Sequence, residues 1–209
     1  MTSFLDDARY RWRRMTAEER EAELAWRRDH ALPWHSPAHC DVGEGAYHLS
    51  AACFEHRPII GAAPARMREF TDALLAQICP AVGAVDAWCV LPNHYHILVR
   101  TGGLASVSRV VGRLHGRTSH RWNGEDGCRG RKVWFNYLDR VIGGEAHYWE
   151  TLNYIHNNAV HHGYVEQWQD WPYSSADAFL ERVGREEAVR IWRTFRVGDC
   201  GHEWDDPAI

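Results

Sequence analysis

Two histidines one residue apart, His94 and His96, are the pair in this 209-residue chain best suited to chemistry. They lie in Trp88-Cys89-Val90-Leu91-Pro92-Asn93-His94-Tyr95-His96-Ile97-Leu98-Val99-Arg100, a run of β-branched, aromatic and aliphatic residues followed by Gly102-Gly103. Such a run predicts strand, with a kink at Leu91-Pro92-Asn93. Successive strand side chains point to opposite faces, so the two imidazoles share a face and can grip one divalent ion from the same side. Alone, such a pair is more often two histidines on a wet sheet face, since short motifs match often by chance. A second segment, residues 149–165, tips that balance: on a helix Tyr154 and Asn158 are four apart and share a face. With a metal opposite, the phenol can attack phosphorus and the amide can complete the coordination of a hard ion. A lone tyrosine on a helix would instead be a packing residue.

A third set is basic. Arg109, Arg113, Arg117 and Arg121 recur every four residues and form a stripe on a predicted helix opposite Leu104, Val107, Val110, Val111 and Leu114. Such a stripe suits a DNA backbone, and Ser106, Ser108, Thr118 and Ser119 can add phosphate hydrogen bonds. Arginines so spaced repel one another, so the stripe needs either a partner anion or acids elsewhere on the fold. Arg131 and Lys132 extend the basic belt: Arg100 to Arg140 holds nine Arg or Lys against three acids, although the whole chain carries a net charge of −4. The mild negative total argues against a nucleic-acid binder, whereas a local arginine belt can serve one, because guanidinium forks match phosphate oxygens. Trp122 and Trp134 are candidates for base stacking or for the core.

The elements that must position these groups read as follows. Thr16-Ala17-Glu18-Glu19 is a capping box opening a charged helix over 18–28, broken by Leu32-Pro33-Trp34-His35-Ser36-Pro37. Residues 46–54 predict a first strand, 64–78 a helix with Pro64 in its first turn, and 82–99 one or two strands. A second core helix follows at 104–122, a turn-rich loop at 123–130, a short strand at 133–137 leading to Arg140-Val141-Ile142, and a third helix at 145–160. Residues 177–183 and 186–195 are helical. The expected fold is α+β, an antiparallel sheet with packed helices. Three parts are expected: an N-terminal helical extension over 1–45, a core domain over 46–178, and a C-terminal helical extension over 179–209.

No stretch approaches the roughly 20 apolar residues that span a bilayer, and the first residues lack the cationic and apolar regions of a secretory signal. The six cysteines contain no Cys-x-x-Cys pair, which excludes a zinc knuckle or disulfide framework and fits reduced thiols in a cytoplasmic protein.

Leu91-Pro92-Asn93-His94-Tyr95-His96-Ile97-Leu98-Val99 resembles the His-hydrophobic-His strand of the single-tyrosine HUH transposases. Tyr154-Ile155-His156-Asn157-Asn158-Ala159-Val160-His161-His162-Gly163-Tyr164-Val165, followed by Trp171-Pro172-Tyr173-Ser174-Ser175, resembles the tyrosine helix of their REP-associated branch. Gly130-Arg131-Lys132-Val133-Trp134-Phe135 and Asp139-Arg140-Val141-Ile142 fall between them in the expected order. The likeness covers residues 46–178. One departure is Asn158-Ala159-Val160 where the family has Asn-Pro-Val; without the proline the helix can run a turn longer.

The resemblance implies a ferredoxin-like HUH endonuclease fold. His94 and His96 would hold Mg²⁺ or Mn²⁺, with Asn158 as third ligand and His156 or Asn157 as substitutes. Tyr154 would attack a single-stranded or hairpin DNA phosphate and form a 5′-phosphotyrosine, as a monomer or a homodimer. His156, His161 and His162 could assist deprotonation. The alternatives are an inactive or domesticated relative that only binds structured DNA, and a zinc hydrolase, which would need a carboxylate ligand or a His-Glu-x-x-His helix that the sequence lacks.

Overall fold

A computed structural model describes residues 15–29 and 41–197. The expected break at residues 32–37, Cys40, Cys200 and the tail beyond 197 lie outside the described residues. The capping box closes as expected: Thr16 N donates to Glu19 Oε2 at 2.7 Å and Glu19 N to Thr16 Oγ1 at 3.2 Å, opening helix α1, Ala17–Asp29.

The core begins with strand β1, Gly45–Ala52, then helix α2, Pro64–Ile78, strand β2, Ala84–Val90, and strand β3, His94–Thr101. Helix α3, Leu104–Glu125, and strand β4, Leu138–Val141, complete it. The sheet is antiparallel in the order β2-β3-β1-β4. That order, with the two crossover helices, is the ferredoxin-like split βαβ arrangement. The fourth strand lies at 138–141 rather than 133–137; Trp134 makes only an isolated bridge to Cys53, while Leu138–Val141 pairs along β1.

Strand alternation gives the sheet two buried faces. On one, Tyr47, Leu49, Tyr95, Ile97 and Val99 pack against Phe70 and Leu74 of α2 and Val107, Val111 and Leu114 of α3. Trp122 and Trp134 belong to this core, 2% and 7% exposed and in ring contact with Phe70, so neither is available for base stacking. On the other face, Ala87, Cys89 and Leu98 pack against helix α4, Glu145–His161, through Leu152 and Ile155. The same cluster takes Phe179 from helix α5, Ala176–Val183, and Ala188 and Ile191 from helix α6, Arg185–Thr194. Among the described residues, no helix is long and apolar enough to cross a membrane.

Candidate active site

The turn from β2 to β3 fixes the first histidine. Leu91 N donates to the His94 carbonyl at 2.8 Å, Gly61 N to the Pro92 carbonyl at 2.9 Å, and Cys53 N to the Asn93 carbonyl at 2.7 Å. Gly61 is glycine for a reason of space: a Cβ there would lie 2.4 Å from Pro92 Cβ and 2.8 Å from Pro92 Cα. The kink expected at Leu91-Pro92-Asn93 is this clamped turn, and β3 starts on His94 itself.

From there alternation does the work. His94 and His96 point to the α4 face, with ring centroids 4.9 Å apart, 4% and 1% exposed. In the β1–β3 register Ser50 lies opposite His96 and His48 opposite Leu98, so His48 joins the same face. Its Nε2 lies 3.1 Å from His96 Nδ1. Helix α4 crosses above, and its four-residue spacing turns Tyr154 and Asn158 down onto the histidines, 2% and 0% exposed.

The Tyr154 hydroxyl lies 3.3 Å from His96 Nε2. Asn158 Nδ2 donates to that hydroxyl at 3.2 Å, and Asn158 Oδ1 lies 3.1 Å from His94 Nε2. On the far side of the ring His94 Nδ1 is 2.7 Å from Asn93 Oδ1. His94 lies between two amide oxygens, Asn93 Oδ1 and Asn158 Oδ1, and a neutral imidazole carries one N–H, so it donates to one of them. The contacts of His96 with His48 and with the Tyr154 hydroxyl suit either tautomer of its ring.

The other ring nitrogen of a neutral His94 then faces an amide oxygen, acceptor to acceptor, and a cation against that nitrogen would relieve the contact. This is the observation that bears on a metal. Two imidazole Nε2 atoms and an amide oxygen converge, and each imidazole is oriented through its other nitrogen, as histidine ligands are. Nitrogen and oxygen donors without thiolate suit Mg²⁺ or Mn²⁺ completed by water or phosphate oxygen. Among the described residues no cluster of three or more His, Cys, Asp or Glu side chains could hold an ion, and the group that lies against His94 Nε2 is the Asn158 amide oxygen.

The remaining histidines separate. His156 faces away from the site; its Nε2 contacts Ser175 Oγ at 3.0 Å, its ring packs on Phe179, and burial holds its pKa down at about 3. It is therefore no substitute ligand for Asn158, and neither is Asn157, which lines a cavity with it. His161 is exposed at the helix end, whereas the His162 ring sits 4.8 Å from that of His94. Buried Ala159 lets α4 continue past Asn158 to His161.

The arginine stripe divides. Arg109, Arg113 and Arg117 are exposed and have no ion-pair partner among the described residues. Arg121 instead pairs with Glu69 and Glu125, and Arg131 with Asp126 at 2.7 Å. A spacing of four overshoots a helical turn by about 40° each step, so by Arg121 the stripe has rotated toward α2. Lys132 lies over the Phe54 and Phe135 rings. Because α3 packs on the face opposite the histidines, the sheet stands between the three exposed arginines and the Tyr154 hydroxyl.

Sequence reasoning missed His48 and Asn93, and it named His162 only alongside His156 and His161. The only signal for Asn93 was its adjacency to His94; for His48 it was a histidine in a strand whose register the sequence does not state.

A ferredoxin-like sheet whose His-hydrophobic-His strand faces a tyrosine helix is the arrangement of the single-tyrosine HUH class. The chain belongs to the IS200-like transposase family, which matches residues 42–158. Over 103 residues it is 30% identical to a Haemophilus influenzae protein provisionally named a REP-associated tyrosine transposase. Over 93 residues it is 29% identical to the Escherichia coli REP-associated tyrosine transposase. These matches take in 43% and 44% of this chain and 56% and 53% of the relatives, so the chain spans about half the length of the curated relatives it matches. A solved REP-associated tyrosine transposase bound to a REP hairpin superimposes with a TM-score of 0.56 at 18% identity, covering 71% of this chain and 86% of that one. At that identity the likeness concerns the fold, which is the α+β arrangement expected from the sequence.

Proposed function

We propose that this chain is a metal-dependent endonuclease and strand transferase that cuts single-stranded, hairpin-forming DNA through a 5′-phosphotyrosine. The observation that carries the reading is the Tyr154 hydroxyl held 3.3 Å from His96 Nε2 and 3.2 Å from Asn158 Nδ2, beside the converging His94 Nε2 and Asn158 Oδ1. His94, His96 and Asn158 would hold Mg²⁺ or Mn²⁺, whose charge, when bound, supplies Lewis-acid stabilisation at a phosphate oxygen.

The chain's own residues do the rest. Tyr154 Oη attacks phosphorus; the bond from phosphorus to the 3′ oxygen breaks, and that oxygen leaves as a 3′-hydroxyl. With an ion held at His96 Nε2 that nitrogen is occupied, so the phenol's proton passes to water and the departing 3′ oxygen takes one from water. The new phosphotyrosine is again a phosphodiester, so a second 3′-hydroxyl can attack it and regenerate the phenol without a nucleotide cofactor. Asn158 fixes the phenol from the other side, which keeps the nucleophile in register with the histidines. Phenol and histidines come from one chain, which supports action by a monomer.

The test is incubation with Mn²⁺ and single-stranded DNA flanking the gene. A 3′-hydroxyl fragment and a covalent adduct, both lost in Tyr154→Phe with binding kept, support the enzyme. Binding with no adduct from the unaltered chain supports a binding-only protein instead.

A further inference from the structure

Helix α4 has a second working face. Opposite Tyr154 and Asn158 it borders a cavity of about 270 Å³ lined by Asn153, His156, Asn157, Trp168, Trp192 and Arg196. The volume lies near the lower end for small-molecule sites. Two of its residues are buried with unmet polar atoms. Asn153 is 3% exposed and donates Nδ2 to the Phe195 carbonyl at 2.5 Å, yet its Oδ1 has no partner among the described residues. His156 is 1% exposed, and its Nδ1 likewise has none among those residues. Such atoms in a folded core call for an explanation, because each costs about 1–3 kcal/mol.

The rest of the lining narrows the occupant. Trp168 and Trp192, with centroids 4.0 Å apart, offer indole surface to a flat ring. An asparagine amide presents a donor and an acceptor in one plane, the pattern that matches a base edge. Arg196 has no ion-pair partner among the described residues and brings a guanidinium suited to a phosphate or a base face.

We propose that this cavity binds a single nucleobase. The base belongs either to the strand engaged at Tyr154 or to a free nucleotide, and in both cases the C-terminal helix α6 exists in part to build the pocket. Asn153 and Asn157 immediately precede Tyr154 and Asn158, so an occupant bears on the helix that aims the phenol. The strand source rests on the function proposed above; the free-nucleotide source does not.

The test uses the full chain carrying Tyr154→Phe, so that DNA stays intact, with ¹⁵N-labelled indoles assigned through Trp168→Phe and Trp192→Phe. One arm adds each of the four deoxynucleoside 5′-monophosphates to millimolar concentration. The other adds a fluorescent single strand from the gene's flank, with anisotropy read in the same samples. The proposal expects the Trp168 and Trp192 indole signals to shift in at least one arm. It also expects Asn157→Ala and Arg196→Ala to weaken that binding about tenfold or more while the other indoles keep their positions. Shifts with monophosphates alone assign a free nucleotide; shifts with the strand alone assign a base of the DNA. A strand that binds by anisotropy and leaves both indoles unmoved, with monophosphates also silent, overturns the pocket and leaves the proposed function standing. Indoles that move with a monophosphate while no strand binds uphold the pocket and remove the DNA reading.

Discussion

The Tyr154 hydroxyl and His96 Nε2 lie 3.3 Å apart within one chain, although 58 residues separate them in sequence. The contact exists because two periodicities meet: alternation along β3 turns His96 toward α4, and the helical repeat turns Tyr154 back toward β3. Every prediction below depends on that meeting or on what surrounds it.

His48 should matter through His96. Its Nε2 lies 3.1 Å from His96 Nδ1, so His48→Phe removes a polar partner from that buried ring. Unfolding in urea should show a loss of about 1–3 kcal/mol, and Mn²⁺ affinity by calorimetry should fall about 10–100-fold. His48→Gln, which can donate or accept there, should recover most of both. Unchanged Mn²⁺ affinity in His48→Phe would remove His48 from the site.

Gly61→Ala tests the clamp on the histidine turn. The added Cβ would fall 2.4 Å from Pro92 Cβ, an overlap that only movement of the turn can relieve. Stability should drop by about 1–3 kcal/mol, and the His94 ring signals should shift in a proton–nitrogen spectrum. A variant with unaltered melting and an unaltered His94 would show that the turn is not held there.

Arg109, Arg113 and Arg117 lie behind the sheet from the phenol, so replacing all three by Ala should separate binding from chemistry. The slope of log affinity against log salt should fall by up to about 2–3, while melting changes little, because the side chains are exposed and have no ion-pair partner among the described residues. Arg121→Ala should behave the other way, losing stability through its pairs with Glu69 and Glu125. An unchanged salt slope in the triple variant would take the stripe off the DNA.

His156 makes the fold sensitive to acid. Burial keeps its folded pKa near 3, whereas the unfolded imidazole takes up a proton near its ordinary value of about 6.5. Between those values the unfolded chain binds the extra proton, so stability is full above the unfolded pKa and falls as pH drops below it, by at most about 1.4 kcal/mol per pH unit. Melting temperature should decline from about pH 6.5 downward, before carboxylates titrate, and the decline should be shallower in His156→Gln. A flat profile to pH 5 would contradict the buried neutral imidazole.

Much of this was legible in the sequence. Helix α2 was read at the bounds the structure gives, because Pro64 marks its start and Met67, Phe70, Leu74 and Ile78 mark one face. The pairings of His94 with His96 and of Tyr154 with Asn158 follow from spacing alone. Their meeting did not; it needed the family resemblance, since nothing local says that α4 covers β3. His48 was hidden because register is a property of two strands, and the β1–β3 pairing is what carries it beside His96. Trp134 was ambiguous because a stacking tryptophan and a core tryptophan have the same sequence signature; contacts with Phe70, Tyr95 and Trp122 decide for the core. The division of the arginine stripe depends on Glu69, an acid 52 residues from Arg121.

Mass spectrometry of the tryptic peptide containing Tyr154, after incubation with Mn²⁺ and single-stranded DNA from the gene's flank, tests the central claim most directly. The account predicts a nucleotide mass on Tyr154 of the unaltered chain, with a free 3′-hydroxyl on the released fragment and no adduct in Tyr154→Phe. Cleavage that persists in Tyr154→Phe, or an adduct on another residue, would contradict it.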